Sequence, residues 1–225
     1  PGITCLRFRR QQPSEMLRLM GQLRDLFGKS VVTREDSLRQ ASIRASSAIT
    51  DEAPTAEFVR GLQGRVTLDL SKEVSNKRLL ELINKTNQFN LNGVRVSEGE
   101  WMKHLADSDS VVMGVSYEDK FGPLGTIGVL AGRETPDGIA VSSWVLSCRA
   151  FSRNIEHHML DCLFRRYRNI RLEYCPTERN QPLQKCLEAL GADPAVAQSG
   201  LLLTEEQFRA HTEQLPHQVQ IKQND

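Results

Sequence analysis

No run of apolar residues in this sequence approaches the roughly 20 needed for a bilayer-spanning helix, so no transmembrane helix is expected. The first residues, Pro-Gly-Ile, include no initiator Met and lack the order of a secretory signal. The chain is therefore expected to be the carboxy-terminal part of a longer polypeptide. An excess of one charge is also missing. Lys and Arg number 29 against 28 Asp and Glu, a net charge of +1, so the whole chain gives no electrostatic sign of a nucleic-acid or membrane partner. Cysteine is sparse: Cys5, Cys148, Cys162, Cys175 and Cys186 are odd in number and form no CxxC pair. Neither a disulfide framework nor a zinc site is expected, and reduced thiols in a cytoplasmic setting fit best. There is no internal repeat, no low-complexity tract, no DxDxT motif and no Gly-rich pyrophosphate loop.

What is present is ordinary globular material. The chain has 225 residues, 39% hydrophobic and 25% charged, enough for one or two domains with a real core. Ile3-Thr4-Cys5-Leu6-Arg7-Phe8 alternates like a strand. Ser14 reads as an N-cap to a helix carrying Met16, Leu19, Met20, Leu23, Leu26 and Phe27, stopped at Gly28. Thr33-Arg34-Glu35-Asp36 opens a polar helix, and Thr50–Pro54 is a loop. A short helix from Thr55 to Leu62 ends at Gly64. Val66, Leu68 and Leu70 alternate as a strand. Ser75 caps a helix with Leu79, Leu80, Leu82 and Ile83, and Ser97 and Glu100 form a capping box ahead of Trp101, Met102 and Leu105.

From residue 110 the period becomes strand-like. Val111–Tyr117, Thr126–Ala131 and Ile139–Cys148 are expected strands, separated by turns at Phe121–Gly125 and Glu134–Gly138. An amphipathic helix follows, with Ile155, Met159, Cys162, Leu163, Phe164 and Tyr167 on one side. Ile170–Cys175 reads as a strand, Asn180–Leu190 as a helix stopped by Gly191, and Leu201–Leu203 as a strand. Thr204-Glu205-Glu206 starts a last helix, and the polar tail after Pro216 is expected to fray. Three strands on short turns, then strand–helix–strand–helix–strand, make the fold class α+β with an antiparallel meander.

Four segments recur together in one family. They are Thr86-Asn87-Gln88-Phe89-Asn90-Leu91, Asp119-Lys120-Phe121-Gly122, Ser147-Cys148-Arg149-Ala150-Phe151-Ser152-Arg153-Asn154-Ile155-Glu156, and Pro176-Thr177-Glu178-Arg179-Asn180. In this order and spacing the chain resembles the carboxy-terminal half of FkbH-like proteins, the HAD-superfamily IIIC phosphatase subfamily. Thr33–Asp36 with Arg39 is similar to the segment linking that family's halves. The resemblance implies a GNAT-like acyltransferase domain, a mixed sheet with flanking helices, over residues 65–215. It further implies that residues 1–12 end a HAD-like domain, residues 13–64 are a helical linker, and residues 216–225 a disordered tail. The implied partners are an acyl carrier protein and the N-terminal HAD-like domain of the same polypeptide. The implied chemistry is transfer of a glyceryl or small hydroxyacyl group, in polyketide or polysaccharide biosynthesis. Without a DxDxT motif, phosphatase chemistry is not assigned to this chain.

The residues carry the chemistry as follows. A strand end running into a helix at Ser147–Glu156 offers unpaired N–H groups and the positive end of a dipole. With Arg149, Ser152, Arg153 and Asn154 it is a candidate cradle for the phosphate of a phosphopantetheine arm or of coenzyme A. The plainer alternative is an ordinary capped helix with two surface arginines. The family carries a glycine at the position of Ser152, and a serine there makes close backbone approach harder. Cys148, beside a helix start and Arg149, is the candidate nucleophile, unless it is a small buried strand residue. Cys162 and Cys186 fall on apolar helix faces, and Cys175 is a reserve candidate. Asn87, Gln88 and Asn90 supply amides that can orient an acyl group or pin a loop. Glu156 and Asp119 are candidate general bases, Glu156 alternatively the partner of an arginine and Asp119 alternatively a turn residue. His157 and His158 are adjacent and lack a metal partner at i+4. Asn180 with Thr177 is expected to cap the following helix, and the family suggests a contact to the thiol-acyl group. Arg165, Arg166, Arg168 and Arg171 form a basic stripe, a solvated face or a landing for an acidic carrier protein.

Three functions are thus open: acyl transfer to a phosphopantetheine thiol, non-catalytic docking of a carrier protein, and coenzyme A-dependent N-acetyl transfer. The missing Gly-rich loop counts against the last.

Overall fold

The strand-like stretch from residue 110 to 146 forms the three middle strands of a seven-stranded sheet. The computed structural model describes residues 12–28, 56–72, 77–194, 200–213 and 215–223. The strand expected at Ile3–Phe8, the helix from Thr33, the Thr50–Pro54 loop and the Ser75 cap lie outside the described residues. The chain divides into two units, Pro1–Ser37 and Leu38–Asp225.

The first unit contains helix α1, Pro13–Phe27. It begins before the expected Ser14 cap. Gln12 is the N-cap and Pro13 the first helical residue, where a fixed φ suits the helix and a missing N–H is no loss. It ends as expected at Gly28.

The second unit holds α2 (Ala56–Gly61), β1 (Arg65–Asp69), α3 (Lys77–Lys85), α4 (Glu98–Ala106), β2 (Ser110–Asp119), β3 (Gly122–Thr135) and β4 (Gly138–Leu146). A 3-10 turn at Cys148–Ala150 leads to α5 (Ile155–Phe164), β5 (Asn169–Leu172), α6 (Gln181–Ala189), β6 (Leu201–Thr204), α7 (Glu205–His211) and β7 (Gln218–Lys222). The architecture is α+β: a seven-stranded mixed open sheet, ordered β6-β5-β4-β3-β2-β1-β7, flanked by helices. No described helix is long and apolar enough to cross a membrane.

The β2-β3-β4 meander is antiparallel, β4 and β5 are parallel, and β5 and β6 antiparallel. Val111, Met113 and Val115 enter the main core with α5, α6 and α7, while Val112 points the other way, into a second core under α3 and α4. Helix α2 belongs with the sheet, since Val59 and Leu62 are buried. The capping boxes at Ser97–Glu100 and Thr204–Gln207 are both formed.

Three expectations change. The turn expected over Phe121–Gly125 shrinks to Lys120-Phe121, because β3 starts at Gly122 and pairs Pro123 and Gly125 with β2, while two register shifts leave Leu124 and Ile127 unpaired. The strand expected over Ile170–Cys175 stops at Leu172, for a reason given below. The tail expected to fray instead forms β7, paired in parallel with β1 from Arg65↔Gln218 to Asp69↔Lys222. Val219 and Ile221 alternate with polar residues, and a free edge beside β1 is available to them.

Candidate functional site

β4 and β5 pair over Ile139–Val141 and Ile170–Leu172, then part. Carboxyl ends of neighbouring parallel strands are where open sheets commonly form a crevice. Here the gap is filled by the chain itself. Leu146 N donates to Phe89 O at 3.1 Å, Leu91 N to Trp144 O at 3.1 Å, and Cys175 N to Leu91 O at 3.2 Å. Phe89–Leu91 is thus a short inserted strand, antiparallel to β4 through the Asn90–Val145 bridge. Glu173 N still donates to Val141 O at 2.9 Å, but beyond it the insert takes the place beside β4, so residues 174–175 leave that strand and β5 is shorter than its apolar pattern suggests.

Amide side chains hold this insert. Asn90 is 2% exposed and Asn180 is 1% exposed. Asn90 Nδ2 donates to Thr86 O at 3.0 Å and Ile83 O at 3.4 Å, and its Oδ1 accepts from Gly93 N at 2.9 Å and Asn92 N at 3.3 Å. Asn180 Nδ2 donates to Asn90 O and Cys175 O, both at 3.0 Å, while its Oδ1 accepts from Thr177 N at 2.9 Å and Gln184 Nε2 at 2.8 Å. Each amide therefore uses two donor hydrogens and two acceptor positions within the chain. Asn180 is the N-cap residue of α6 without a side-chain cap bond, since its amide faces the insert. Asn87 is exposed and accepts from Arg95. Asn92, passed over in the sequence, bridges the parting strands: its Nδ2 donates to Ser142 O and Glu173 O at 3.0 Å each.

On the other flank, Ser147 N donates to Ile127 O at 2.7 Å and the backbone turns at once. Cys148 is exposed as the first residue of the 3-10 turn, so it is not a buried strand residue. Cys175 is exposed too, whereas Cys162 is buried and burial pushes its thiol pKa up. Cys186 is half-buried by surface area, yet its sulfur is enclosed strongly enough to raise its pKa well above the ordinary value.

Arg153 does not reach outward. It is 4% exposed, and its Nε and Nη2 each lie 3.3 Å from Asp119 Oδ2. Nη1 donates to Arg149 O at 2.9 Å and Phe151 O at 3.5 Å, and the guanidinium stacks over Tyr117 at 5.4 Å. The other oxygen of Asp119 accepts from Phe121 N at 2.9 Å, so Asp119 fixes the β2–β3 turn and the Arg153 brace together. Burial raises the pKa of Tyr117, with Asp119 adding to the effect. Arg149 Nε donates to Ser147 Oγ at 3.4 Å. Ser152 and Asn154 have φ of 65° and 53°. That left-handed backbone favours glycine, which accounts for a glycine at the Ser152 position in the family the chain resembles. Asn154 is the N-cap of α5 without a side-chain cap bond, so no side chain of that residue covers the helix's first N–H groups.

The four quoted segments meet at one end of the sheet. Asn180 joins the fourth to the first, Arg153–Asp119 joins the third to the second, and Phe89 joins first to third by its bond to Leu146 and a 6.3 Å ring contact with Phe151. Glu156, in the first turn of α5, lies 3.3 Å from His157 Nδ1, with its charge felt at Cys186 and His217. His158 Nε2 is 2.9 Å from His217 Nδ1, a pairing invisible while His217 was assigned to a frayed tail. Among the described residues, no group of three or more His, Cys, Asp or Glu could hold a metal ion. Compared with protein-family models and with curated proteins, the chain matches none.

Proposed function

We propose that this chain transfers a small acyl group, glyceryl or another hydroxyacyl, to the thiol of a phosphopantetheine arm on a carrier protein, within a GNAT-like domain. The observation that carries the reading is the convergence of the four segments on the carboxyl end of β4, with the exposed thiol of Cys148 in the turn that follows that strand. In this reading the Cys148 thiolate attacks the donor's acyl carbonyl, the donor's leaving group departs, and an acyl thioester forms on Sγ. The carrier thiolate then attacks that thioester and Cys148 leaves as thiolate. Thioester exchange is close to isoenergetic and involves no change of oxidation state.

The fit to the arm is partial. A chain laid between β4 and β5 would have to expel Phe89–Asn92, and Arg153 and Asn180 have their polar atoms engaged internally. The arm is therefore received on the open side of Cys148, with the first turn of α5 and Arg149 facing its phosphate. The same occupied gap favours a second reading, in which the domain docks a carrier protein and the chemistry happens elsewhere. It counts equally against coenzyme A-dependent N-acetyl transfer through that gap.

Intact-mass spectrometry separates these readings. The protein is incubated with a hydroxyacyl thioester donor and a phosphopantetheinylated carrier protein. Transfer predicts an acyl adduct on wild type, absent from Cys148→Ala, and a loaded carrier. A variant that loads the carrier at the wild-type rate would remove Cys148 from the mechanism. A carrier that binds but is never loaded would leave docking.

A further inference from the structure

On the sheet face covered by α3 and α4, opposite the main core, a cavity of about 310 Å³ opens over the β4 bulge. The bulge itself is Ser142, unpaired because Ala131 and Gly132 align with Ser143 and Val141. A volume near 300 Å³ suits a small molecule. Trp101 and Ala131 contribute apolar surface, and Trp101 is stacked on His104 with ring centroids 5.9 Å apart.

His104 Nε2 is buried and has no hydrogen-bond partner. A neutral imidazole carries one donor and one acceptor nitrogen, and a hydroxyl can pair with Nε2 in either role. Burial and the charge of Arg133 hold His104 below its ordinary pKa, so the neutral ring persists at neutral pH. Around it, Arg95, Lys103 and Arg133 line the cavity against one acid, Glu100. The carboxylate of Glu100 is committed to the Ser97 cap, and Arg133 also pairs with Asp107 at the rim. Arg95 is engaged by Ile83 O, Thr86 O and Asn87, so a buried ring nitrogen without a partner, in a cavity with Lys103 at its rim, suits two groups: a hydroxyl and a negative charge.

We infer that this cavity binds a small hydroxycarboxylate, whose hydroxyl hydrogen-bonds to His104 Nε2 and whose carboxylate faces Lys103 and Arg133, with its carbon skeleton against Trp101. The site is independent of the acyl-transfer reading, since it uses neither Cys148 nor the insert.

Glycerate and propionate are the probes, titrated into the ¹⁵N-labelled full chain and followed by the Trp101 indole and His104 ring signals. Saturable shifts with glycerate are expected, with propionate, which has no hydroxyl, about tenfold weaker. His104→Phe should erase the preference for glycerate over propionate. Lys103→Gln, at an exposed position that cannot disturb folding, should weaken both about tenfold. Shifts that grow linearly without saturation, equal affinity for the two probes, or a Lys103→Gln variant that binds like wild type would each overturn the site. Loading of Cys148 is not read by this experiment, so its outcome leaves the transferase reading untouched.

Discussion

At the scale of single residues, the site is dominated by one buried ion pair. The side chains of Arg153 and Asp119 are 5% and 1% exposed. Removing one partner strands the other as a buried charge. Asp119→Ala is therefore expected to lose about 3–5 kcal/mol in chemical denaturation, far more than loss of a surface pair such as Arg65–Glu118, at about 0–1 kcal/mol. Equal, small losses for both would show that Asp119 is a turn residue and nothing more. Ser152 gives the opposite sign. Its φ of 65° is unfavourable for a residue with a Cβ, so Ser152→Gly should leave stability unchanged or raise it by up to about 1 kcal/mol. The cysteines divide by exposure. Iodoacetamide should label Cys148 and Cys175 readily, while Cys162 and Cys186, enclosed and with thiol pKa values pushed up by burial, react only as the protein opens. Peptide mapping after limited alkylation reads this directly, and early labelling of Cys186 would contradict its enclosure.

At the scale of elements, the insert Phe89–Asn92 is held by few but well-formed bonds. Asn90→Ala would leave the N–H groups of Asn92 and Gly93 and the carbonyls of Ile83 and Thr86 without that partner. A loss of about 2–4 kcal/mol is expected, with amide exchange rising at Leu91, Leu146 and Cys175, whose N–H groups close the gap. Unchanged exchange at those three amides would mean that Asn90 does not latch the insert. Much of the element order was legible beforehand, since the meander, the Ser97–Glu100 capping box and α5 to α7 follow from period and caps alone. The insert was not. Phe89-Asn90-Leu91 is too short to show an alternation, and Trp144 and Cys175, the partners of Leu91, are 53 and 84 positions away from it in the numbering. The clustering of amides was visible as a pattern. Sequence gave two uses for them, and only the hydrogen bonds reveal how fully Asn90 and Asn180 are engaged inside the chain. The bulge over the His104 cavity was equally hidden, because one unpaired residue leaves no trace in a strand's composition.

At the scale of the whole molecule, the sheet is completed by its last described residues. β7 sits beside β1, Gln218 N donates to Gly64 O at 3.0 Å, and Gly64 is pressed so close to Tyr117 and His217 that a Cβ there would clash. The approach to β7 is fastened by His217 against His158 on α5. Burial, then the neighbouring His217, depress His158 to a pKa of about 4, and burial also lowers His217. Asp161 and Glu156 oppose the shift of His158, while His157 adds to it; Glu156 opposes that of His217 and Arg153 adds to it. A base whose folded pKa lies below its unfolded value binds protons preferentially when unfolded. Stability is therefore intact above the unfolded value of about 6.5, falls as pH drops toward 4, and stops changing on this account below it. For His158 the full loss is about 3 kcal/mol. His158→Gln, which keeps a hydrogen-bonding group but does not titrate, should flatten denaturation curves measured between about pH 7 and pH 4.5. In wild type, amide exchange in β7 should accelerate over the same interval, ahead of exchange in β2 and β3 at the sheet's centre. A variant with the same pH slope as wild type, or a β7 that opens only with the whole sheet, would show that the histidine pair does not govern how the last strand is held.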